Sequence, residues 1–369
     1  MDREKFHLPG KHYLLSHSVG AQPKSYDAAA SGGHGEPWRH EGANVWDSWF
    51  GALDQFRKGL APIIGADADD ICLQTNVSSG IVKILFSLPE RARRKKIVLT
   101  EDDFPTVGFA LAQAQRMGYE LVFLPGGERL ADPDAWAPAF HDDVQLVLAT
   151  QVYSNSSVMA PIGEIARRAR EHGVFSIIDI AQSAGGAPVR LNDWRPDFAV
   201  GTSLKYLCGG TGAAFLWADA NSAERCAPVD VGWFSHEQPF ELDIHHFEYA
   251  SRAARYTGGT PSIAPFAGAR AGQEILIAHG ADKIYAHNQA LLSRLIAGLP
   301  GDALLSCATE GARGSAALIK VRDYDAAAKT LSEAGVIHDT RQGAVRVSIH
   351  LYNDEKDIDA LLAAIESHL

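Results

Sequence analysis

Residues 177–216 read IIDIAQSAGGAPVRLNDWRPDFAVGTSLKYLCGGTGAAFL, and this stretch decides the fold. An apolar run over 175–178 ends in Asp179. A Gly- and Pro-broken segment follows, and a second apolar run over 197–200 feeds into Gly201-Thr202-Ser203-Leu204-Lys205-Tyr206. Short apolar runs bounded by turn residues are the mark of strands buried on both faces. Wound α/β sheets bind ligands in a crevice outside the carboxyl ends of such strands, so Asp179 and Lys205 are expected on one rim. A lysine so placed suits an aldehyde cofactor held as a Schiff base. An acid on a neighbouring strand suits a pyridine nitrogen, which must stay protonated for the ring to act as an electron sink.

The flanking sequence repeats the pattern. Apolar runs at 71–74, 97–99, 121–124, 146–149, 175–178, 198–201 and 213–217 read as strands, with helical stretches at 79–88, 106–117 and 161–172 between the earlier ones. The expectation is an α/β fold with a mostly parallel sheet of about seven strands and helices on its faces. Upstream, Val45, Trp49, Leu53, Phe56 and Leu60 have helical spacing, and the helix is expected to end near Pro62 and Gly65. Residues 32–40 read as a Gly-rich loop. Residues 266–297 read as one long helix, stopped by Gly298 and Pro300, and 315–369 as strand, helix, strand, helix. The organisation expected is an N-terminal segment (1–40) packing with the small domain, a large domain (41–265), a linking helix (266–300) and a small C-terminal α+β domain (301–369).

Asp179-Ile-Ala-Gln182-Ser183, followed by Ser203-Leu-Lys205-Tyr206, resembles the fold-type I pyridoxal phosphate (PLP) enzymes. Within them it is similar to the class V aminotransferase, kynureninase and cysteine desulfurase group. The resemblance implies PLP as cofactor, Lys205 as Schiff-base lysine and later general base, and Asp179 as partner of the ring nitrogen. Further motifs follow in the family's order. Gln74-Thr75-Asn76-Val77-Ser78-Ser79-Gly80 joins a strand to a helix, where N–H groups form an anion site. Val77, Ser78 and Ser79 match the family's phosphate loop, and Ser78 also reads as a helix cap. Asp103-Phe104-Pro105-Thr106 resembles a kynureninase triplet in which Phe104 would stack on the ring. Val107 stands where kynureninases carry an acid.

Ser154 and Asn155, at the end of the fourth strand, and Gln182 are candidates for the cofactor's phenolic oxygen, with Gln182 the better placed. Ser203 and Tyr206 flank the lysine and are candidates for the phosphate. Leu204 replaces the tyrosine usual in kynureninases. Gly232-Trp233-Phe234-Ser235-His236 and Arg255-Tyr256-Thr257-Gly258-Gly259-Thr260-Pro261 resemble a kynureninase pattern. By that analogy Trp233 touches phosphate and Thr260 reaches the partner subunit's cofactor, which implies a homodimer with shared active sites. Asp339-Thr-Arg341-Gln-Gly-Ala-Val-Arg346 resembles the group's C-terminal motif. Arg346 is the candidate for a bidentate grip on the substrate carboxylate, with Arg341 structural or auxiliary. The loop before that strand lacks a cysteine, which disfavours persulfide chemistry.

Composition narrows the rest. A formal charge of −11 over 369 residues, with only the 91–96 run strongly basic, argues against nucleic acid or an anionic membrane. Cys72, Cys208, Cys226 and Cys307 are too scattered for a disulfide or zinc framework, and no paired histidine spacing suggests a metal. The start, Met-Asp-Arg-Glu-Lys, does not read as a signal peptide, and no apolar run is long enough to span a membrane. Composition fits a cytoplasmic protein, and the resemblance implies a homodimeric PLP enzyme acting on an amino-acid substrate. Side-chain cleavage at the β position is the leading reaction, transamination the alternative, and a non-catalytic PLP-fold binding protein the remote one. Gly209, Gly210 and Gly212 do not make a dinucleotide fingerprint, because Phe215 stands at the third glycine's place.

Overall fold

The computed structural model describes residues Met1–Leu369. Its central sheet has seven strands: β1 (Ile71–Gln74), β2 (Lys96–Thr100), β3 (Glu120–Leu124), β4 (Val144–Thr150), β5 (Phe175–Asp179), β6 (Phe198–Thr202) and β7 (Ala214–Ala218). Their order is β1-β7-β6-β5-β4-β2-β3. Only β7 runs against its neighbours; the other pairings are parallel. The short link from β6 to β7 cannot carry a crossover helix, so the chain must turn straight back. That link bears Lys205.

Side chains alternate across the sheet, as a period of two requires. Ile178, Ala199 and Phe215 enter one core with Phe56, Leu60 and Phe266. Ile177, Val200 and Leu216 enter the core on the other face with Ile81, Ile84 and Leu99. Helices cover both faces: α1 (Val45–Ile64), α2 (Val77–Leu85), α3 (Pro105–Leu111), α4 (Ile162–Glu171), α5 (Ala264–His279) and α6 (Ala281–Ala297). The apolar stripe of α1 meets α5, with the Phe56 and Phe266 rings edge to face at 5.0 Å.

Two expectations from the sequence change here. The helix expected over 266–297 is broken, because Gly280 adopts φ +82° and an α-helix cannot continue through that conformation. Residues 32–40 are helical rather than a loop, with an α-helix over Glu36–His40. Gly33 lies against Ala267 and Ala52, a close approach that favours helical packing over the residue's intrinsic looseness.

Toward the C-terminus, β8 (Ala316–Ile319), β9 (Asp339–Arg341) and β10 (Ala344–Ser348) form an antiparallel sheet in the order β8-β10-β9. Helices α7 (Tyr324–Glu333) and α8 (Glu355–Ile365) pack on it. A separate core joins Leu331, Val345, Val347 and Leu361 to Leu295 of α6 and to Leu14. Nearby, His12–Tyr13 pairs in parallel with Val336–Ile337, and Asp357 takes Arg3 at 2.8 Å and His12 at 2.7 Å. Residues 26–35 instead run along α5, with the Tyr26 ring over Gly268.

Helix α5 also backs the loop that carries Lys205. A Cβ at Gly272 would meet the carbonyl oxygen of Cys208 at 3.1 Å and that of Leu207 closer still. Gly272→Ala should therefore lower the unfolding free energy by about 1–3 kcal/mol, measured by denaturant titration. Unchanged stability would mean that this contact is not tight in solution.

Candidate active site

A cavity of about 290 Å³ opens at the carboxyl ends of β2, β4, β5 and β6, with Phe104, Thr150, Asp179, Gln182, Thr202 and Lys205 in its wall. Asp179 is the last residue of β5, and its Oδ1 accepts the Ala181 N–H at 2.8 Å as the chain turns away. Burial pushes its pKa up, opposed by that bond and by Lys205. Burial pushes the Lys205 amine down; Asp179 opposes this, while Arg346 and Arg341 add to it. A carboxyl group and an easily neutralised amine thus face one cavity. Lys205 Nζ sits 5.7 Å from the centroid of the Phe104 ring. That ring is 42% exposed, an apolar face that a flat ligand would cover.

At one end of the cavity lies the start of α2. Its first N–H groups have no partner within the helix, and Val77 and Ser78 line the cavity there. The cap is Asn76 rather than Ser78: Asn76 Oδ1 accepts the Ser79 N–H at 2.8 Å. Ser79 is drawn into that turn, its Oγ donating to the Asn76 carbonyl at 2.8 Å, and is not in the cavity wall.

The residues around the lysine also need correction. Thr202 lines the cavity and Ser203 does not. Ser203 is buried against Gly209 and Ala269, and its Oγ has no partner. Adjacent residues at a strand end point to opposite sides, so only one of the two can face the ligand. Counting by twos along β6 would have identified Thr202. Tyr206 is likewise behind the site. Its ring meets His350 edge to face at 5.4 Å, and its carbonyl accepts from His350 Nε2 at 2.8 Å.

Gln182 lines the cavity while its Nε2 donates to the His17 carbonyl at 3.0 Å. Of the pair Ser154 and Asn155, Ser154 is the one in the wall. Asp103 is a residue that sequence reading passed over. Its carboxylate accepts from the Thr100 N–H at 2.7 Å and from Thr150 Oγ1 at 2.6 Å, tying the Phe104 loop to β4. Burial pushes Asp103 up to about 6, and Asp179 adds to the rise.

Arg346, on β10, does not line the cavity directly but touches the Ser154 carbonyl through Nη1 at 3.2 Å. Asp339 takes the side-on edge of the guanidinium, with Nε donating at 2.8 Å and Nη2 at 2.7 Å. One N–H on each Nη remains available to a carboxylate. Asp339 also meets His17 Nε2 at 2.8 Å. Burial pushes Asp339 up, but Arg346 and His17 outweigh it and hold the acid well below the usual range. Burial takes His17 down to about 4, with Asp339 opposing. Arg341 has a buried Nε without a partner.

Trp233 and Thr260 lie outside this chain's cavity. Trp233 packs on Phe234, with ring centroids 4.3 Å apart, and edge-on against Trp46 at 6.0 Å. Thr260 is exposed.

The cavity offers an anion site at one end, an apolar face, a buried acid and a buried amine, which are the groups a phosphorylated pyridine aldehyde needs. Comparison with known proteins points the same way. Residues 40–361 match the family model described as aminotransferase class-V. Kynureninase from Deinococcus radiodurans is 32% identical over 271 residues, covering 71% of this chain and 64% of the relative. Kynureninase from Pseudomonas fluorescens is 29% identical, covering 74% and 67%. Among solved structures, a lysine-to-alanine variant of C-DES with glycine covalently linked to its PLP cofactor superposes with a TM-score of 0.89 at 22% identity, over 100% of both chains. The cysteine desulfurase CsdA from Escherichia coli gives 0.84 at 18%, over 99% and 96%.

His17 generates a pH prediction. Its folded pKa lies below the ordinary value of 6.5, so between 6.5 and about 4 the unfolded chain takes up a proton that the folded chain refuses. Its contribution is therefore present above that window and lost as pH falls through it. A His17→Asn variant should gain stability relative to the unsubstituted protein as pH drops from 6.5 toward 4, followed by denaturant unfolding. A constant difference would mean that His17 titrates normally.

Proposed function

Since the chain belongs to the class-V aminotransferase family and works with pyridoxal 5′-phosphate, we propose that it is an enzyme of α-amino acids, cleaving the substrate's side chain at the β position. The observation that carries this reading is Lys205 facing Asp179 and the Phe104 ring across one cavity. Bound there, PLP supplies an electron sink for charge developing at the substrate's Cα.

The chain's own groups do the rest. Lys205 would hold the cofactor through Nζ, and its neutral amine would carry the proton at Cα. Burial supports that role by disfavouring the charged amine. Asp179 keeps a proton on the pyridine nitrogen. The Val77 and Ser78 N–H groups and the Thr202 hydroxyl would take the phosphate, and Phe104 would cover the ring. Gln182 and Ser154, both in the cavity wall, would serve the ring's remaining polar edge. Arg346, pinned by Asp339, presents its free edge to the substrate carboxylate.

Dimer formation belongs to the same reading. Phe240, Leu242 and Ile244 are 60%, 76% and 93% exposed on the segment after Trp233, an apolar surface suited to a second copy. Trp233 and Thr260 would then complete the partner's cavity. The organisation into an N-terminal segment, a cofactor-binding unit, a linking region and a small C-terminal unit is part of this proposal. A cytoplasmic setting also belongs to it; no helix is long and apolar enough to cross a membrane. Transamination is the second reading, since the same cofactor and lysine can serve it; Val107 in place of an acid and Leu204 in place of a tyrosine weigh against kynurenine itself as substrate.

Product analysis with PLP and a panel of amino acids should give catalytic release of a side-chain fragment. A keto acid appearing in step with aminated cofactor would establish transamination instead. Lys205→Ala should abolish both turnover and the visible absorption band; retained turnover would contradict the assignment. Arg346→Gln should raise KM for the amino acid about tenfold or more, through loss of a charge-assisted bidentate contact. An unchanged KM would remove Arg346 from substrate binding.

A further inference from the structure

The segment after Trp233 holds a cluster that the cofactor cavity does not use. His236 Nε2 lies 2.8 Å from Glu241 Oε2, and His246 Nδ1 lies 2.9 Å from the same oxygen. The three ligand atoms all fall within 4.8 Å of one another. Glu241 makes no ion pair with a lysine or arginine; the groups facing its carboxylate are these two imidazoles.

The cluster has one rigid member and two adaptable ones. His236 is 8% exposed, and its Nδ1 lies 2.9 Å from the Glu248 carbonyl oxygen and 3.1 Å from the Glu248 N–H. The Glu248 carbonyl also accepts the Glu237 N–H at 3.0 Å, and His236 bridges to Tyr249 in an antiparallel pairing. When Nδ1–H donates to that carbonyl, Nε2 presents a lone pair toward Glu241. A backbone anchor of this kind is what fixes the tautomer and ring plane of metal-ligating histidines. Glu241 and His246 are exposed, free to close on an ion and to leave a position open to water.

Hydrogen bonding satisfies the cluster only if both nitrogens facing Glu241 Oε2 carry protons. A divalent ion would satisfy all three groups at once with the lone pairs outward. Two imidazole nitrogens and one carboxylate oxygen form a borderline donor set suited to zinc, at bond lengths of about 2.0–2.2 Å. Tetrahedral ligands at those bond lengths stand about 3.4 Å apart, so each nitrogen must open from Glu241 Oε2 by about half an ångström to admit the ion.

We propose that His236, Glu241 and His246 form a divalent transition-metal site, with zinc as the fitting ion, that staples the excursion between residues 236 and 248. The excursion carries Phe240, whose ring packs at 5.5 Å from Trp233 and 6.3 Å from Phe234. Closing it with an ion fixes the aromatic cluster on the exposed apolar surface.

The test uses the full-length, untagged holoenzyme, stripped with a chelator and then equilibrated with zinc. Metal per chain is counted by plasma mass spectrometry, and affinity is measured against a chromophoric chelator. Wild type and His245→Ala, which alters the neighbouring exposed histidine, should each hold about one zinc. Glu241→Gln and His246→Ala should bind at least about tenfold more weakly, as removing a ligand costs no less than removing its support. Zinc should raise the melting temperature of the first pair but not of the second. No zinc in the wild type, or equal affinity in all four proteins, would overturn the site. Because the readout is bound metal, its failure is distinct from failure of the proposed activity.

Discussion

The alignment of β5 with β6, which sets Asp179 opposite Val200, is the constraint on which the site depends. It ends one strand in a buried carboxyl group and sends the next into the Lys205 loop at the same level. The loop cannot drift, because β7 returns directly against β6 and α5 presses on Leu207 and Cys208 from behind. A Cβ at Gly20 would collide with the Lys205 carbonyl oxygen, and the Gly20 N–H donates to the Leu204 carbonyl at 2.8 Å. The amine therefore points into the cavity from a backbone held on three sides. Lys83, the other deeply placed lysine, is tied to the Tyr256 carbonyl at 2.8 Å and is outside the cavity wall.

The region around Arg346 is governed by charge balance. An isolated buried guanidinium is costly, and Asp339 compensates Arg346 without covering the edge aimed toward Ser154. His17 supports Asp339 while remaining neutral at physiological pH, so it adds no positive charge. With Arg341 close by and lacking a partner at Nε, the region keeps a surplus of positive charge that one substrate carboxylate would offset. The N-terminal loop takes part through His17, whose carbonyl also holds Gln182. The Arg346–Asp339 pair, the cavity wall at Gln182 and the chain start are thus one hydrogen-bonded unit.

Strand-end positions were legible in the sequence because a doubly buried strand is a short apolar run, and all seven runs became strands of the central sheet. The placement of Asp179, Lys205, Val77, Ser78, Phe104 and Gln182 around one cavity follows from that pattern. What escaped depended on direction rather than position. Choosing Ser203 over Thr202 is a one-residue slip that reverses the face. Crediting Ser78 with the cap overlooked Asn76, equally suited and two residues earlier. The helix over Glu36–His40 reflects tertiary packing, which local propensity does not contain, whereas the break at Gly280 is the local habit of glycine to end a helix at positive φ. Trp233 and Thr260 carry no sign in their own chain's cavity, and the convergence of His236, Glu241 and His246 across an irregular excursion has no periodic signature at all.

The central claim is that Lys205 bears the cofactor, and reductive trapping tests it most directly. The holoenzyme is treated with borohydride, digested and sequenced by mass spectrometry. The account predicts one phosphopyridoxyl adduct, on the peptide containing Ser203, Leu204 and Lys205. An adduct on Lys83 or another lysine instead, or none after reconstitution with PLP, would contradict it.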